Sequence, residues 1–371
     1  MKLSPRYIFS LLVIATLCGR FVPQTWAQPT AEHNLKFTRI PAQWDRGLPL
    51  GNGMCGVLVW QKEGKLRLSV DRADLWDLRP MAEIDKYTYA WAYQHRLSRD
   101  WDTVWKVADE PYDRDAAPTK LPGAAVEFDI SRMGEVVAAE LDLATAMCTI
   151  RWKSGMVFRA FVDATQPLVR YSWRNTALVP IPDAVPRASL VAPPYGAPTD
   201  TSTKNAVVGG QDLSRLGYAR GTMSTQKNVT IYDQPGWGTF SYQAALASIG
   251  SGLTSQGIVS ISSHRADKPK LPTASELVAQ ASGISFDDAS VAHKVWWKQF
   301  WSKASIVLPD KQLESQWYRE VYKFGAASRT GAPPISLQAI WTADNGKLPP
   351  WKGDFHSDLN TQLSYWPAYS G

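Results

Sequence analysis

The run Leu66-Arg67-Leu68-Ser69-Val70-Asp71 places Leu66, Leu68 and Val70 on one side of an extended chain and Arg67, Ser69 and Asp71 on the other. A period of two is the mark of a β-strand packed on one face. The same alternation returns in Cys148, Ile150 and Trp152 against Thr149, Arg151 and Lys153. Residues 57–60, 125–130, 156–162, 168–173 and 239–247 are further strand candidates. Together they predict a large antiparallel β-sandwich, so the chain is mainly β over its first two thirds. Six prolines between Ala177 and Asp200 predict a long loop there, because proline removes a ladder donor.

The period changes near residue 270. Thr273-Ala274-Ser275-Glu276 has the spacing of a capping box, and Asp287-Asp288 suit a second helix start. In the next stretch Val291 and Val295, Trp296 and Phe300, and Trp297 and Trp301 form three i,i+4 apolar pairs. They cover most of the circumference, which predicts a helix wedged between two bodies. A following helix over 313–328 carries Leu313, Trp317, Val321 and Phe324 on one stripe. Residues 28–270 therefore read as the sandwich, 271–304 as a helical linker and 305–371 as the opening of a helical domain. The length suits about two cores.

Lys2 and Arg6 precede an apolar run from Ile8 to Cys18, and Thr25-Trp26-Ala27 offers a cleavage site. Residues 1–27 read as a secretory signal peptide, too short for a stable membrane anchor, and the expected location is secreted or periplasmic. Removing Lys2, Arg6 and Arg20 lowers the formal charge from +6 to +3. No Lys/Arg cluster points to nucleic acid. Cys55 and Cys148 remain, either as two core thiols or as a single disulfide. The absence of Cys-x-x-Cys and His-Glu-x-x-His spacings leaves no metal or cofactor to expect.

Gly51-Asn52-Gly53-Met54-Cys55-Gly56 matches the Gly-x-Gly-x-x-Gly fingerprint of dinucleotide sites. That fingerprint needs a helix after the glycines, to meet the pyrophosphate with its N-terminus. Here a strand pair follows, so a tight turn that tolerates positive φ is the better reading.

The chain ends in a window dense in acids, amides and aromatics, Pro349-Pro350-Trp351-Lys352-Gly353-Asp354-Phe355-His356-Ser357-Asp358-Leu359-Asn360-Thr361-Gln362-Leu363-Ser364-Tyr365-Trp366-Pro367. Leu359, Leu363 and Trp366 fall at helical spacing, which lets Asp358 cap a helix that Asn360 enters. Such a mouth suits holding a water or a sugar hydroxyl; an ordinary cap beside buried aromatics is the alternative.

Several ordered segments resemble glycoside hydrolase family 95, the inverting α-L-fucosidases and related enzymes. They are Leu48-Pro49-Leu50-Gly51-Asn52-Gly53 with Gly56, Asp71-Arg72-Ala73-Asp74-Leu75-Trp76, Trp296-Trp297 through Phe300-Trp301, Pro333-Pro334-Ile335-Ser336-Leu337-Gln338-Ala339-Ile340-Trp341, Pro349-Pro350-Trp351, and Asp358-Leu359-Asn360-Thr361-Gln362 with Tyr365-Trp366-Pro367-Ala368. The resemblance implies a β-supersandwich, a helical linker and the incomplete start of an (α/α)6 catalytic barrel. It implies inverting hydrolysis of glycosidic bonds in plant or host glycans. By position Asp358 and Asn360 take the places of the family's two water-holding amides, and Asp358 departs from that pattern, since an Asp accepts where an Asn can also donate. Trp341, Trp351, Asp354 and His356 are the expected sugar-binding residues.

The family's general acid and base come from later barrel segments, so residues up to Gly371 are expected to be a fragment lacking both. Aromatics such as Trp317, Trp341, Trp351, Tyr365 and Trp366 would then lack partners. The competing expectation is a non-catalytic carbohydrate-binding or structural β-sandwich protein, in which Asp344-Asn345 could also meet glycan hydroxyls.

Overall fold

The computed structural model describes residues 28–177, 185–196, 209–341 and 346–369. Residues 1–27, where a leader is expected, and Asp344-Asn345 lie outside the described residues. Nine strands form one antiparallel sheet in the order Leu35–Phe37, Val136–Asp142, Met147–Trp152, Met156–Val162, Leu168–Asn175, Thr254–His264, Ser241–Ser251, Val229–Pro235, Thr222–Gln226. Five more form the facing sheet, Ala188–Val191, Ala124–Asp129, Lys65–Arg72, Cys55–Lys62, Leu48–Gly51. The expected sandwich is present, with helices gathered in the C-terminal part.

Leu66, Leu68 and Val70 point into the space between the sheets, with Val59 opposite Leu68 and Val57 opposite Val70. An aromatic wall meets them, with Phe158 and Trp173 4.8 Å apart and Phe128 and Tyr171 4.9 Å apart between ring centroids. The other side of the same strand is not in water. Arg67 pairs with Glu127, Trp60 donates its indole N–H to Ser69 at 2.9 Å, and the Lys120 amine reaches Asp71 Oδ1 at 2.8 Å. These polar groups are buried because each has a partner, the condition under which burial is tolerated.

The β region differs from the sequence reading, which offered no strand at Leu35–Phe37, Val136–Asp142, Thr222–Gln226, Val229–Pro235 or Thr254–His264. Helices α1 (Tyr89–Ser98) and α2 (Trp101–Arg114) interrupt it, started by side-chain caps from Thr88 and Asp100. The proline-rich stretch expected to be loop contains the short strand Ala188–Val191, which pairs with Ala124–Asp129 at the sheet edge. These four residues carry no proline, so the ladder is not blocked there.

Helix α3 (Ala274–Ala281) begins with both halves of the capping box between Thr273 and Glu276. It packs Ala274, Val278 and Ala281 on Leu168, Ala245, Ala247 and Ile258 of the nine-stranded sheet. Helix α4 (Phe286–Trp301) is capped by Ser285, with Asp287 and Asp288 in its first turn. Trp297 and Trp301 are buried, yet Val291 and Val295 are exposed. Among the described residues the helix therefore lies on the sandwich with one side and leaves the other, with Val291 and Val295, uncovered. Its indoles are directed, Trp301 donating to the Leu143 carbonyl at 2.8 Å and Trp297 stacking on Tyr322 at 5.2 Å.

Helix α5 (Lys311–Ala327) is rotated by about one residue from the expected stripe. Tyr318, Val321, Tyr322 and Gly325 are buried, whereas Leu313 is exposed and Trp317 and Phe324 are half-buried. Tyrosine wins the interior because its hydroxyl finds carbonyl partners, Tyr322 on Pro49 at 2.7 Å and Tyr318 on Ile306 at 3.1 Å. Glu314 is buried as well. Its carboxylate accepts from the Leu308 N–H, the Lys311 amine and the His33 ring, at 2.6, 2.9 and 3.1 Å.

The hairpin of Leu48–Gly51 and Cys55–Lys62 receives the C-terminal segment. Gly53, at φ 82°, makes the turn, and Asn52 locks it by accepting from the Met54 and Cys55 N–H groups. A strand follows the turn, as expected, which removes the dinucleotide reading. Gly53 N–H donates to Ala326 O at 2.6 Å and Trp341 donates to Leu50 O at 3.0 Å. Cys55 and Cys148 are both free and buried, so the thiol alternative is the one observed.

A methyl group at Gly56 would lie 2.1 Å from the Ile340 carbonyl oxygen. Gly56→Ala is therefore expected to destabilise the protein by about 2 kcal/mol or more, measured by urea unfolding. Hydrogen bonds from Leu308 N–H, then Lys311 and His33, hold the Glu314 carboxyl down at about 2. Its folded value lies below its unfolded one, so its contribution is complete above the ordinary glutamate range and fades as pH falls toward about 2. Thermal unfolding of Glu314→Gln should accordingly lose part of the acid-side decline in Tm seen in the unaltered protein.

Candidate functional site

Three consecutive residues, Trp351, Lys352 and Gly353, take left-handed conformations at φ 55°, 55° and 62°. For the two that carry a Cβ this costs about 1–2 kcal/mol each. Strain of this kind persists only where the surroundings over-determine it. The Lys352 side chain supplies that constraint, because its buried amine donates to the Tyr112 and Asp115 carbonyls at 2.5 and 2.6 Å. Burial pushes the Lys352 amine down to about 8, against the pull of the Asp115, Asp113 and Asp354 carboxylates. The turn throws the Trp351 indole outward, about half exposed, and starts the run that follows.

Asp354 sits at the centre of that run. One carboxylate oxygen, Oδ2, accepts the Tyr112 hydroxyl at 3.0 Å, and the other pairs with His356 Nε2 at 2.6 Å. Burial, then the Asp354 charge, pushes the Tyr112 phenol well up, so it stays a donor. Trp351 meets the His356 ring edge-to-face at 6.0 Å, and Phe355 stacks on Trp76 at 5.6 Å. The backbone carbonyl of Asp354 accepts from Leu337 N–H at 2.9 Å. Asp354 Oδ1, in ion-pair range of His356 but accepting no hydrogen bond within the described residues, lies beside an exposed indole and so offers an acceptor and an apolar face, the combination that a sugar ring requires.

Asp358 and Asn360 are exposed, Asp358 two residues before α6 (Asn360–Tyr365) and Asn360 at its first position. Asp358 does not cap the helix. Its Oδ1 accepts from Leu359 N–H at 3.0 Å, while Leu359 occupies the cap position and the opening turn is closed by Thr361 N–H on the His356 carbonyl at 2.9 Å. Main chain from His356 thus takes the role expected of the Asp358 side chain. That leaves the Asp358 carboxylate directed to its own loop and to solvent.

The structure brings Trp351, Asp354 and His356 together and keeps Asp358 and Asn360 one turn along. Trp341 is half-buried, and its indole N–H is held by the Leu50 carbonyl. Sequence reasoning missed Tyr112, Lys352, Trp76 and Phe355. Tyr112 and Trp76 come from the β region, some 240 and 280 residues from their partners, and no local pattern announces a pairing over that distance. Leu359, Leu363 and Trp366 lie exposed just before, along and just beyond α6, and the Ile335 N–H donates to the Tyr365 hydroxyl oxygen at 2.8 Å. Among the described residues no cluster of three His, Cys, Asp or Glu side chains is placed to hold a metal ion, and no helix is long and apolar enough to cross a membrane.

Residues 278–371 match the glycosyl hydrolase family 95 catalytic domain. The resemblance read from the ordered motifs is therefore shown for the part of the chain that contains the Asp354 site. Probable alpha-fucosidase A of Aspergillus niger is 40% identical over 45 residues, a match covering 12% of this chain and 5% of that protein. A solved structure from the human microbiome, provisionally assigned as a kojibiose phosphorylase, is 10% identical with a TM-score of 0.48, covering 88% of this chain and 43% of that one. The chain thus spans well under two thirds of the proteins that it matches.

The Tyr112–Asp354 hydrogen bond joins α2 to the strained turn. In a double-mutant cycle of Tyr112→Phe and Asp354→Asn, measured by urea unfolding, the coupling energy is expected to be about 1 kcal/mol. Additive losses would mean that the two groups act independently.

Proposed function

We propose that this chain is the sugar-recognising portion of a glycoside hydrolase that cleaves glycosidic bonds of plant or host glycans with inversion, exported by its leader to the periplasm or the medium. The observation that carries the reading is the Asp354–His356 pair beside the exposed Trp351, inside a segment that matches a glycosidase catalytic domain. The named relative adds the sugar class, since it is an α-fucosidase.

In this reading a terminal sugar lies over Trp351 with hydroxyls on Asp354 and His356. Asp358 and Asn360 hold the attacking water beneath the anomeric carbon. Inversion requires a carboxylic acid to protonate the leaving oxygen and a carboxylate on the opposite face to draw the proton from water, with roughly 6.5–9.5 Å between them. Further barrel segments supply that pair in the working enzyme. Asp358 adds an acceptor where the family has an amide, so it orients the water's hydrogens instead of donating to its oxygen. The same residue favours a second reading, a carbohydrate-binding protein without turnover, because the amide that would support the base is replaced.

The test uses native protein isolated from its source, incubated with a fucosylated oligosaccharide while proton NMR follows the anomer first released. Appearance of the inverted anomer supports hydrolysis by inversion; binding with no released sugar favours the second reading, and no binding overturns both. Asp358→Ala and Asn360→Ala should each lower kcat by about a hundredfold or more with Tm unchanged, since Asp358 caps nothing. A fall in Tm that tracks the loss of activity would make these residues structural.

A further inference from the structure

Helix α2 carries aromatic side chains that the fold does not use. The residues it buries are Val107 and Pro111, while Trp101 and Trp105 are 44% and 54% exposed. At 3.6 residues per turn, Trp101, Trp105 and Tyr112 fall within about 40° of one another around the helix, on a different face from Val107 and Pro111. Tyr112, at the inner end of this row, is the residue whose hydroxyl is fixed on Asp354 at 3.0 Å. The Lys352 amine clamps the same end of the helix to the strained turn through the Tyr112 and Asp115 carbonyls. The row therefore begins at the candidate sugar site and runs outward for about 16 Å, at 1.5 Å per residue.

We propose that this face of α2 is an extended-glycan platform, a set of outer subsites for the sugars that follow the terminal residue held at Asp354. The proposal rests on the sugar-binding reading of that site. Four features argue for an oligosaccharide as the occupant. The row is continuous with the Asp354 pair, so a ligand that leaves the site along α2 meets Trp105 next and then Trp101. The exposed groups are indoles, whose flat faces suit the axial C–H surface of a pyranose and whose N–H groups remain able to donate to hydroxyls. Asp109, about 40° around the helix from Trp105, offers an acceptor to hydroxyls beside the rings. A length of about 16 Å exceeds one sugar and fits a short linear chain.

Isothermal titration of the unaltered protein with fucose, fucosyllactose and a fucosylated xyloglucan oligosaccharide tests this, alongside Trp105→Ala, Trp101→Ala and Trp105→Tyr. Loss of one stacking partner is expected to weaken the longest ligand on the order of three- to tenfold more than fucose, and Trp105→Tyr should restore most of that loss. Asp354→Asn should weaken all three ligands together. Trp105→Ala and Trp101→Ala affinities that fall equally for short and long ligands, or fall for none, would overturn the platform while leaving the Asp354 reading intact. Absence of any binding by the unaltered protein would overturn both. A change in oligomeric state or Tm in the tryptophan variants, with glycan affinity unmoved, would assign this face to protein contact and also overturn the platform.

Discussion

The C-terminal third of the molecule rests on the close approach of two backbones at the Gly51–Gly56 hairpin. Ile340 and Ala326 pack where a side chain on Gly51 or Gly56 would have to be, and Gly53 N–H binds the Ala326 carbonyl across the gap. Glycine is needed at these points because no rearrangement of a flexible side chain can relieve a contact with main chain. Once that distance is set, Tyr322 and Trp341 reach Pro49 and Leu50 with their polar ends and bury the rest of their rings. Helix α5 and the segment after it are thereby fixed on the sandwich, and the strained turn at Trp351 inherits its place from them.

The turn itself illustrates how strain and burial balance. Two left-handed residues and a buried amine are each unfavourable alone. The amine is tolerated because two carbonyls receive it and three carboxylates stand near it. In return it pins the backbone in the conformation that projects Trp351 outward and presents Asp354 to Tyr112 and His356. Local stability is thus exchanged for a preset geometry, as is common where a surface must meet a ligand without first reorganising.

Helices α1 and α2 connect this arrangement to the sandwich. Their exposed aromatics are costly on a surface that faces only water, and their few buried residues show that they are not there to complete a core. Through Tyr112 the β region takes part in shaping a site that otherwise belongs to the catalytic-domain segment. On the proposed reading, a surface built from two distant stretches of one chain could change in length and sugar preference by altering α2 while the Asp354 pair stays as it is.

The sequence by itself determined half of the sandwich strands, the helical C-terminal part and the tight Gly-Asn-Gly turn, because these depend on periodicity and on backbone freedom that neighbouring residues settle. Residues 156–162 are a strand with the bounds the alternation predicts, and Thr273 with Glu276 forms the expected capping box. Trp351, Asp354 and His356 were legible as a group because they lie within six positions of one another. Tertiary structure alone decided which face of α5 is buried, that main chain and not Asp358 closes the first turn of α6, and that Tyr112 and Lys352 build the site. These outcomes turn on which donor reaches which carbonyl across hundreds of residues, and a hydroxyl or an amine becomes a core group only when folding brings its partner to it.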